Sequence, residues 1–283
     1  MSTQQTAPTQ YISANGTTLA YSRLGPPTGV PLVMHIHFRG NMDSWDPSLI
    51  NPLAATRPVI IFDNAGIGKS SGTVPSTFAG WASNLIALVH ALDIPQIDLL
   101  GFSMGGCAVQ MVALDAPALV RKIILAATSA SINARSVEGD GALVERFISA
   151  TGPEAEEATL AESFYTPSAN GVAQAKASWA RMHERAETVG FADKVTTEKQ
   201  LAASMHFETP NVRNSAERLH ELKMPVFVCS GDTDLLEPMA NSFYLQEKIE
   251  NAHLHIYPDA GHGFLFQYGA LFAAHVNLFL DSE

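Results

Sequence analysis

The chain has 283 residues, of which 46% are hydrophobic and 16% are charged. This balance is typical of a globular protein with a large apolar core, and the length suits a single α/β unit with an insertion. The net charge of −11 has the wrong sign for a surface that neutralises nucleic-acid phosphates. Nucleic acid is therefore excluded as a partner.

Targeting signals and cysteines give a second set of limits. No stretch approaches about eighteen consecutive apolar residues, so no transmembrane helix and no membrane partner are predicted. Residues 1–10 are polar and lack both a basic and an apolar segment, which argues against a signal peptide. The only cysteines, Cys107 and Cys229, lie in apolar contexts typical of buried thiols. We expect a cytoplasmic protein, and a homodimer stays open.

The first half of the chain alternates strand and helix patterns. Asn15-Gly16, between two short strand-like pieces, predicts a hairpin that opens the sheet. Apolar runs bounded by turn residues predict buried parallel strands at 31–36, 58–62, 97–100 and 122–127, and helical spacing predicts helices at 45–56, 78–92 and 104–114. The repeated β-α-β pattern predicts an α/β fold with a mostly parallel central sheet flanked by helices.

Residues 131–222 have a different character. They are rich in Ala, Glu, Met and Phe, and they predict short helices around 138–150, 154–164, 170–188, 196–206 and 211–221. Strand patterns resume at 225–229 and 252–257, and an amphipathic helix is predicted over 264–280. We therefore predict a core formed by 1–130 and 223–283, with a helical lid, 131–222, inserted after the sixth strand.

The most informative motif is Gly101-Phe102-Ser103-Met104-Gly105, between the strand at 97–100 and the next helix. A G-x-S-x-G turn joins a strand sharply to a helix, and it holds the serine hydroxyl out of the sheet. The flanking glycines tolerate the backbone that such a turn requires. Ser103 is the predicted nucleophile.

A serine hydroxyl becomes a good nucleophile only beside an oriented base. His262 follows the last predicted strand in a loop with glycine on both sides, and it is the predicted general base. Asp234, in the turn after the strand at 225–229, is predicted to orient the imidazole. Asp232 is the second choice for this acid, and Asp259 is a rival partner, because turn aspartates often serve the turn itself.

Acyl transfer also needs two backbone N–H donors for the developing oxyanion. One donor is the residue after the nucleophile, Met104, and the other comes from the loop after the third strand, at Phe38.

Four motifs together carry a resemblance that extends over nearly the whole chain. They are His37-Phe38-Arg39-Gly40, the segment DNAGIGKS at 63–70, the glycine-rich elbow at 101–106, and Gly231 to Asp234 together with Ala260-Gly261-His262. The sequence resembles the α/β-hydrolase superfamily of esterases, lactonases and non-haem haloperoxidase-like hydrolases, whose triads follow the order serine, aspartate, histidine. The resemblance implies the α/β-hydrolase fold and serine chemistry without a cofactor.

One position departs from the family pattern. The family usually has glycine where this chain has His37, and we expect a positive φ there, which histidine tolerates better than most residues. His37 then either contacts substrate at the pocket mouth or simply packs, and both interpretations stay open. Trp179 is a candidate substrate-binding residue in an apolar pocket whose other candidate members are Phe147, Phe164, Met182 and Met205.

Two further motifs are rejected. The segment DNAGIGKS nearly matches a phosphate-binding loop, but Asp63 stands at its first glycine and Pro75 follows closely where a helix is needed. His35 and His37 lie on one strand face, but no clear third and fourth metal ligands accompany them. Neither a nucleotide site nor a metal site is predicted.

The prediction is hydrolysis of a small carboxylic ester or lactone through an acyl-enzyme on Ser103, in a pocket between the sheet and the lid. Serine at the elbow argues against the haloalkane dehalogenase and epoxide hydrolase chemistry of resembling families. On the same scaffold, C–C bond hydrolysis, perhydrolysis or haloperoxidase-like activity, and biosynthetic acyl transfer or a lyase step stay open. A non-catalytic ligand-binding receptor and an interaction module are alternatives of another class.

Overall fold

The fold is built on a mostly parallel sheet. The computed structural model describes residues 2–185, 188–210, 212 and 214–282. The eight strands of the sheet follow the order β1-β2-β4-β3-β5-β6-β7-β8. They are β1 (Gln10–Ala14), β2 (Thr17–Leu24), β3 (Leu32–His35), β4 (Val59–Phe62), β5 (Ile97–Phe102), β6 (Val120–Ala126), β7 (Val226–Gly231) and β8 (Ala252–Tyr257). β2 pairs antiparallel with β1 and β4, and the other neighbours are parallel.

The opening hairpin forms as the turn chemistry predicts. Asn15 and Gly16 join β1 to β2 with φ values of 52° and 72°. Two consecutive residues with positive φ are typical of the tight turn that matches the twist of paired strands. The hairpin is therefore encoded in its two turn residues.

Helices cover both faces of the sheet. They are α1 (Pro47–Ala54), α2 (Phe78–Ala91), α3 (Met104–Asp115), α4 (Gly141–Ser149), α5 (Pro153–Phe164), α6 (Ala169–Met182), α7 (Lys194–Phe207), α8 (Met239–Lys248), α9 (Phe264–Gln267) and α10 (Gly269–Asp281). Leu99 of β5 belongs to the hydrophobic cluster beneath α2 and α3, and Leu100 belongs to the cluster beneath α1 and α10. Successive residues of a strand face opposite sides, so β5 is buried on both faces and its sequence is a continuous apolar run.

The segment between β6 and β7 is helical. It contains α4 to α7 and a 3-10 helix over Ala216–Glu221. The helices predicted over 138–150, 154–164 and 196–206 agree with these elements. The one predicted over 170–188 ends at Met182, and its positions 186 and 187 lie outside the described residues. The fifth, predicted over 211–221, is a shorter 3-10 helix. Positions 211 and 213 of that prediction lie outside the described residues. That the segment acts as a lid stays a prediction.

The structure of the last third of the chain differs from the prediction at two helices. The helix α8, between β7 and β8, was not predicted, because Met239 and Phe243 face solvent and weaken its helical pattern. The terminal helix is divided into α9 and α10 at Tyr268. A Cβ at Gly269 would lie 2.4 Å from Ser48 Oγ, so the chain needs glycine where it passes α1.

Within the described ranges, none of the helices combines the length and the apolar composition needed to cross a membrane.

Candidate active site

Ser103 occupies a sharp turn between β5 and α3. Its φ of 56° and ψ of −126° lie in a region that costs free energy for any residue other than glycine. The Ser103 N–H donates to the Ala126 carbonyl at 2.9 Å, and its own carbonyl accepts from Thr128 Oγ1 at 2.8 Å. A Cβ at Gly105 would lie 2.2 Å from the His35 carbonyl oxygen. Only glycine therefore allows α3 to begin directly against the end of β3.

Asp234 and His262 are in direct contact. His262 Nδ1 lies 2.9 Å from Asp234 Oδ2, and their side chains are only 2% and 0% exposed. The other carboxylate oxygen, Asp234 Oδ1, accepts the backbone N–H groups of Leu236 and Glu237, both at 2.9 Å. These bonds hold the carboxylate in the orientation that meets the imidazole.

Asp232 and Asp259 serve the loops instead. The Asp232 carboxylate accepts the N–H groups of Asp259 and Ala260, both at 3.1 Å. Asp259 Oδ2 accepts the Ser168 hydroxyl at 3.0 Å. Of the three acidic candidates, Asp234 is the one whose carboxylate contacts the His262 ring.

Ser103 and His262 line the same cavity. Among the described residues, no hydrogen bond occupies Ser103 Oγ, so the hydroxyl is available to the imidazole and to a bound molecule. Catalytic hydrogen bonds of this kind often shorten only when substrate binds. The ring of His262 packs against Phe102 and Phe164, with ring centroids 5.0 and 5.2 Å apart.

Phe38 and Met104 also border this cavity. Met104 is the first residue of α3, so its N–H has no acceptor within the helix. The close approach of Gly105 to the end of β3 brings this helix end beside the loop that carries Phe38. The two predicted oxyanion donors therefore border the same cavity as Ser103.

The loop after β3 takes its positive φ at Arg39, with φ of 63°, and not at His37. The expectation of a left-handed His37 is therefore wrong, because the turn is made two residues later. The His37 ring lies 5.0 Å from the Phe164 ring and 5.3 Å from the Phe102 ring. Its Nδ1 is 2.8 Å from the Phe38 carbonyl oxygen and acts as the donor, while burial lowers the pKa of His37 to about 3. The imidazole is neutral, and it both packs and lines the cavity.

Arg39 joins this loop to the segment between β6 and β7. Its guanidinium donates to the carbonyl oxygens of Phe147 at 2.6 Å, Ala150 at 2.9 Å and Ala192 at 3.1 Å. Its backbone N–H donates to Gln200 Oε1 at 3.0 Å. Sequence reasoning did not single out Arg39. The available signal was a charged residue directly after the Phe38 oxyanion position in a mostly apolar segment.

The cavity has a volume of about 380 Å³ and is walled mainly by apolar side chains. Phe147 and Phe164 are among the described residues that line it, whereas Trp179, Met182 and Met205 are not. Trp179 instead packs against His183, with ring centroids 4.0 Å apart and an interplanar angle of 40°. The geometry thus brings two of the five suggested apolar residues to the cavity and gives no support to substrate binding by Trp179.

The two rejected motifs have structural roles. His35 stacks on Trp81, with ring centroids 5.4 Å apart and an interplanar angle of 12°, whereas His37 contacts the rings of Phe102 and Phe164. Asp63 accepts the N–H groups of Met42 and Lys69, both at 2.7 Å. The loop that resembles a phosphate-binding motif therefore folds around the chain's own carboxylate.

Glu237 is a second residue that sequence reasoning missed. It lines the cavity, and its Oε2 accepts from Asn241 Nδ2 at 3.3 Å. Burial, followed by the charge of Asp234, raises the pKa of Glu237 to about 7, while His262, Ser129 and Asn241 act in the opposite direction. Its position three residues after Asp234 was the only sequence signal.

Comparison with known proteins agrees with this architecture. The sequence profile of the alpha/beta hydrolase fold matches residues 30–267. A solved alpha/beta hydrolase fold protein from Chitinophaga pinensis is 34% identical, with a TM-score of 0.88 and coverage of 100% of both chains. The chain belongs to the alpha/beta hydrolase family.

Curated relatives include enzymes with different named activities. A poly(3-hydroxyalkanoate) depolymerase of Ectopseudomonas oleovorans is 30% identical over 264 residues, which cover 92% of this chain and 88% of the relative. A non-heme chloroperoxidase of Streptomyces lividans is 28% identical over 268 residues, which cover 89% of this chain and 92% of the relative. The similarity to these relatives supports the assignment of this chain as a hydrolase.

Proposed function

We propose that the protein is a serine hydrolase that cleaves a small carboxylic ester or lactone through an acyl-enzyme on Ser103. One observation carries the proposal. The strained Ser103 shares a cavity with His262, whose Nδ1 lies 2.9 Å from the fully buried carboxylate of Asp234. A nucleophile, a base and a group that orients the base are the parts that acyl transfer needs.

In the first half of the reaction, His262 Nε2 takes the Ser103 Oγ proton as Oγ bonds to the substrate carbonyl carbon. The Asp234 carboxylate accepts from His262 Nδ1 and stabilises the imidazolium that forms. The carbonyl oxygen becomes an oxyanion and accepts the N–H groups of Phe38 and Met104. When the intermediate collapses, the C–O bond breaks and the imidazolium proton passes to the leaving alkoxide.

In the second half, water repeats the same steps. His262 takes a proton from water as its oxygen attacks the acyl carbon, and the second tetrahedral intermediate releases Ser103 Oγ with that proton. The products are a carboxylic acid and an alcohol, or one hydroxy acid from a lactone. His262 accepts and returns the proton in every transfer of this scheme, and the scheme needs no cofactor.

A panel of ethyl, phenyl and lactone substrates, assayed by alkali uptake at constant pH, tests this proposal. We expect the wild type to hydrolyse at least one class and Ser103→Ala to lose about a thousandfold or more of that activity. Activity retained by Ser103→Ala, or hydrolysis of none of the three classes, overturns the proposal. Circular dichroism of both proteins controls for folding.

A further inference from the structure

The cavity lining that the structure describes carries acidic side chains and no basic ones. Among the described residues that line the cavity, the charged side chains are Glu138, Glu208 and Glu237, and neither lysine nor arginine contributes. Two of them approach from the segment between β6 and β7, and Glu237 approaches from the loop after β7. The charge facing a bound molecule is therefore negative on more than one side.

Glu237 is the least exposed of the three acids, because it is half-buried whereas Glu138 and Glu208 are exposed. Its backbone N–H donates to Asp234 Oδ1 at 2.9 Å, which fixes the start of its side chain next to the triad. Its carboxylate accepts from Asn241 Nδ2 at 3.3 Å. A carboxylate has about four lone-pair sites, and the side chains of Asn241 and Ser129 supply two donors. The remaining lone pairs of the Glu237 carboxylate can accept a hydrogen bond from a donor group on a molecule bound in the cavity.

The segment around Val137 is hydrogen-bonded to the residues beside this carboxylate. Asn241 accepts the Val137 N–H at 3.0 Å and donates to the Val137 carbonyl oxygen at 2.9 Å. The Asp140 N–H donates to the Leu235 carbonyl oxygen at 2.7 Å. These bonds hold the segment against α8 and the loop that carries Glu237. A half-buried carboxylate interacts more strongly with a nearby charge than one in bulk water does.

We propose that Glu237 determines substrate specificity. The cavity then selects esters that carry a hydrogen-bond donor, either a neutral hydroxyl or a cationic ammonium group, and it rejects esters that carry a carboxylate. This inference rests on the serine hydrolase function proposed above. A donor on the substrate completes the acceptor capacity of Glu237, whereas a second carboxylate adds like-charge repulsion in an enclosed site.

The surroundings of Glu237 also predict a pH dependence. The titratable groups that face it are Asp234 on its own loop, His262 after β8 and Cys107 on α3, and Glu208 at the end of α7 also acts on Cys107. Burial and Asp234 raise the pKa of Glu237 to about 7. Preference for an ammonium group over a methyl group should therefore increase as the pH rises through about 7. Both esters react at the same Ser103, so an effect of pH on the reaction that they share cancels in the ratio of the two rates.

The test uses four ethyl esters of similar length, those of hexanoic acid, 6-hydroxyhexanoic acid and 6-aminohexanoic acid and the monoethyl ester of adipic acid. A parallel series carries the same end groups on the alcohol side of a hexanoate ester. In one of the two series, we expect wild-type kcat/KM to be about tenfold higher for the ammonium ester than for the carboxylate ester. Glu237→Gln should reduce this ratio to within about twofold of unity.

Glu145→Gln is the matched control, because Glu145 is exposed on α4 and lies outside the described cavity lining. It removes the same charge and should keep the wild-type ratio. Equal rates for the ammonium and carboxylate esters in both wild-type series, or an unchanged ratio in Glu237→Gln, overturn the inference. Hydrolysis of ethyl hexanoate that depends on Ser103 shows at the same time that the proposed function itself stands.

Discussion

Arg39 Nη1 donates a hydrogen bond to the Phe147 carbonyl oxygen at 2.6 Å, and this bond ties the loop of the proposed oxyanion donor Phe38 to the end of α4. The guanidinium makes two further bonds to carbonyl oxygens and is almost fully buried. The segment inserted between β6 and β7 therefore supports the backbone that faces Ser103 as well as walling the cavity.

Arg39→Met should impair both stability and activity. It leaves the buried carbonyl groups of Phe147 and Ala150 without the Arg39 donor, while the Ala192 carbonyl keeps Thr197 Oγ1. The free energy of unfolding should therefore fall by about 3 kcal/mol. The ester-hydrolysis kcat/KM should fall by about tenfold or more, because the Phe38 N–H loses its support. Urea unfolding and substrate kinetics measure the two effects.

Arg146→Met is the matched control for this change. The Arg146 and Glu162 side chains are 50% and 51% exposed, so loss of their ion pair should cost less than about 1 kcal/mol. Equal losses in the two variants would show that Arg39 has no special part in holding the loop.

Asp234→Asn should reduce kcat/KM by about a thousandfold or more, because an amide neither fixes the His262 tautomer nor stabilises the imidazolium. Asp232→Asn should cost at most about tenfold, since its carboxylate only accepts two loop N–H groups. Parallel kinetics on one ester measure both variants. If Asp232→Asn proves the more damaging change, Asp234 does not have the proposed role.

The backbone strain at Ser103 should lower the free energy of unfolding of any variant that has a Cβ at this position. Its φ of 56° and ψ of −126° cost a residue that has a Cβ, but not glycine. Ser103→Gly should therefore be more stable than Ser103→Ala by about 1 kcal/mol, after allowing for the greater entropy of an unfolded glycine. Urea unfolding of the two inactive variants makes the comparison, and an alanine variant of equal or greater stability argues against strain.

His35 should make folding sensitive to acid. Burial lowers its pKa to about 4 from 6.5. The unfolded chain therefore binds the proton first as the pH falls, and the associated stability is present above pH 6.5 and lost as the pH falls towards 4. The loss from this residue is at most about 3 kcal/mol.

His35→Phe preserves a ring that can stack on Trp81 and removes the titration. Between pH 6.5 and 4, the free energy of unfolding of this variant should fall less steeply than that of the wild type. The difference between the two slopes corresponds to at most one bound proton. Urea unfolding at several pH values checks this. Parallel pH profiles for the two proteins would mean that His35 does not titrate differently on folding.

Local chemistry made much of the sheet predictable. The turn residues Asn15 and Gly16 predict the hairpin between β1 and β2. The buried strands are continuous apolar runs because both of their faces are covered. The elbow, Asp234 and His262 follow the ends of the parallel strands β5, β7 and β8, so their meeting at one edge of the sheet could be expected from the topology.

Contacts between distant segments were not predictable in the same way. Nothing near Arg39 in sequence reveals that its carbonyl partners lie more than a hundred residues away. Trp179 fits an apolar helical stripe, yet its ring packs against that of His183, four residues later in the chain. The proposed role of Glu237 depends on the segment around Val137, which is hydrogen-bonded to Asn241, and a single sequence does not encode that pairing in any local pattern.

Covalent labelling of Ser103 tests the central claim most directly. The wild type, incubated with a fluorophosphonate, should gain the mass of one phosphonyl group, and peptide mapping should place that group on Ser103. Ser103→Ala should remain unlabelled, and His262→Ala should label far more slowly because the serine has lost its base. A wild type that resists labelling, or equal labelling of Ser103→Ala, would contradict the account.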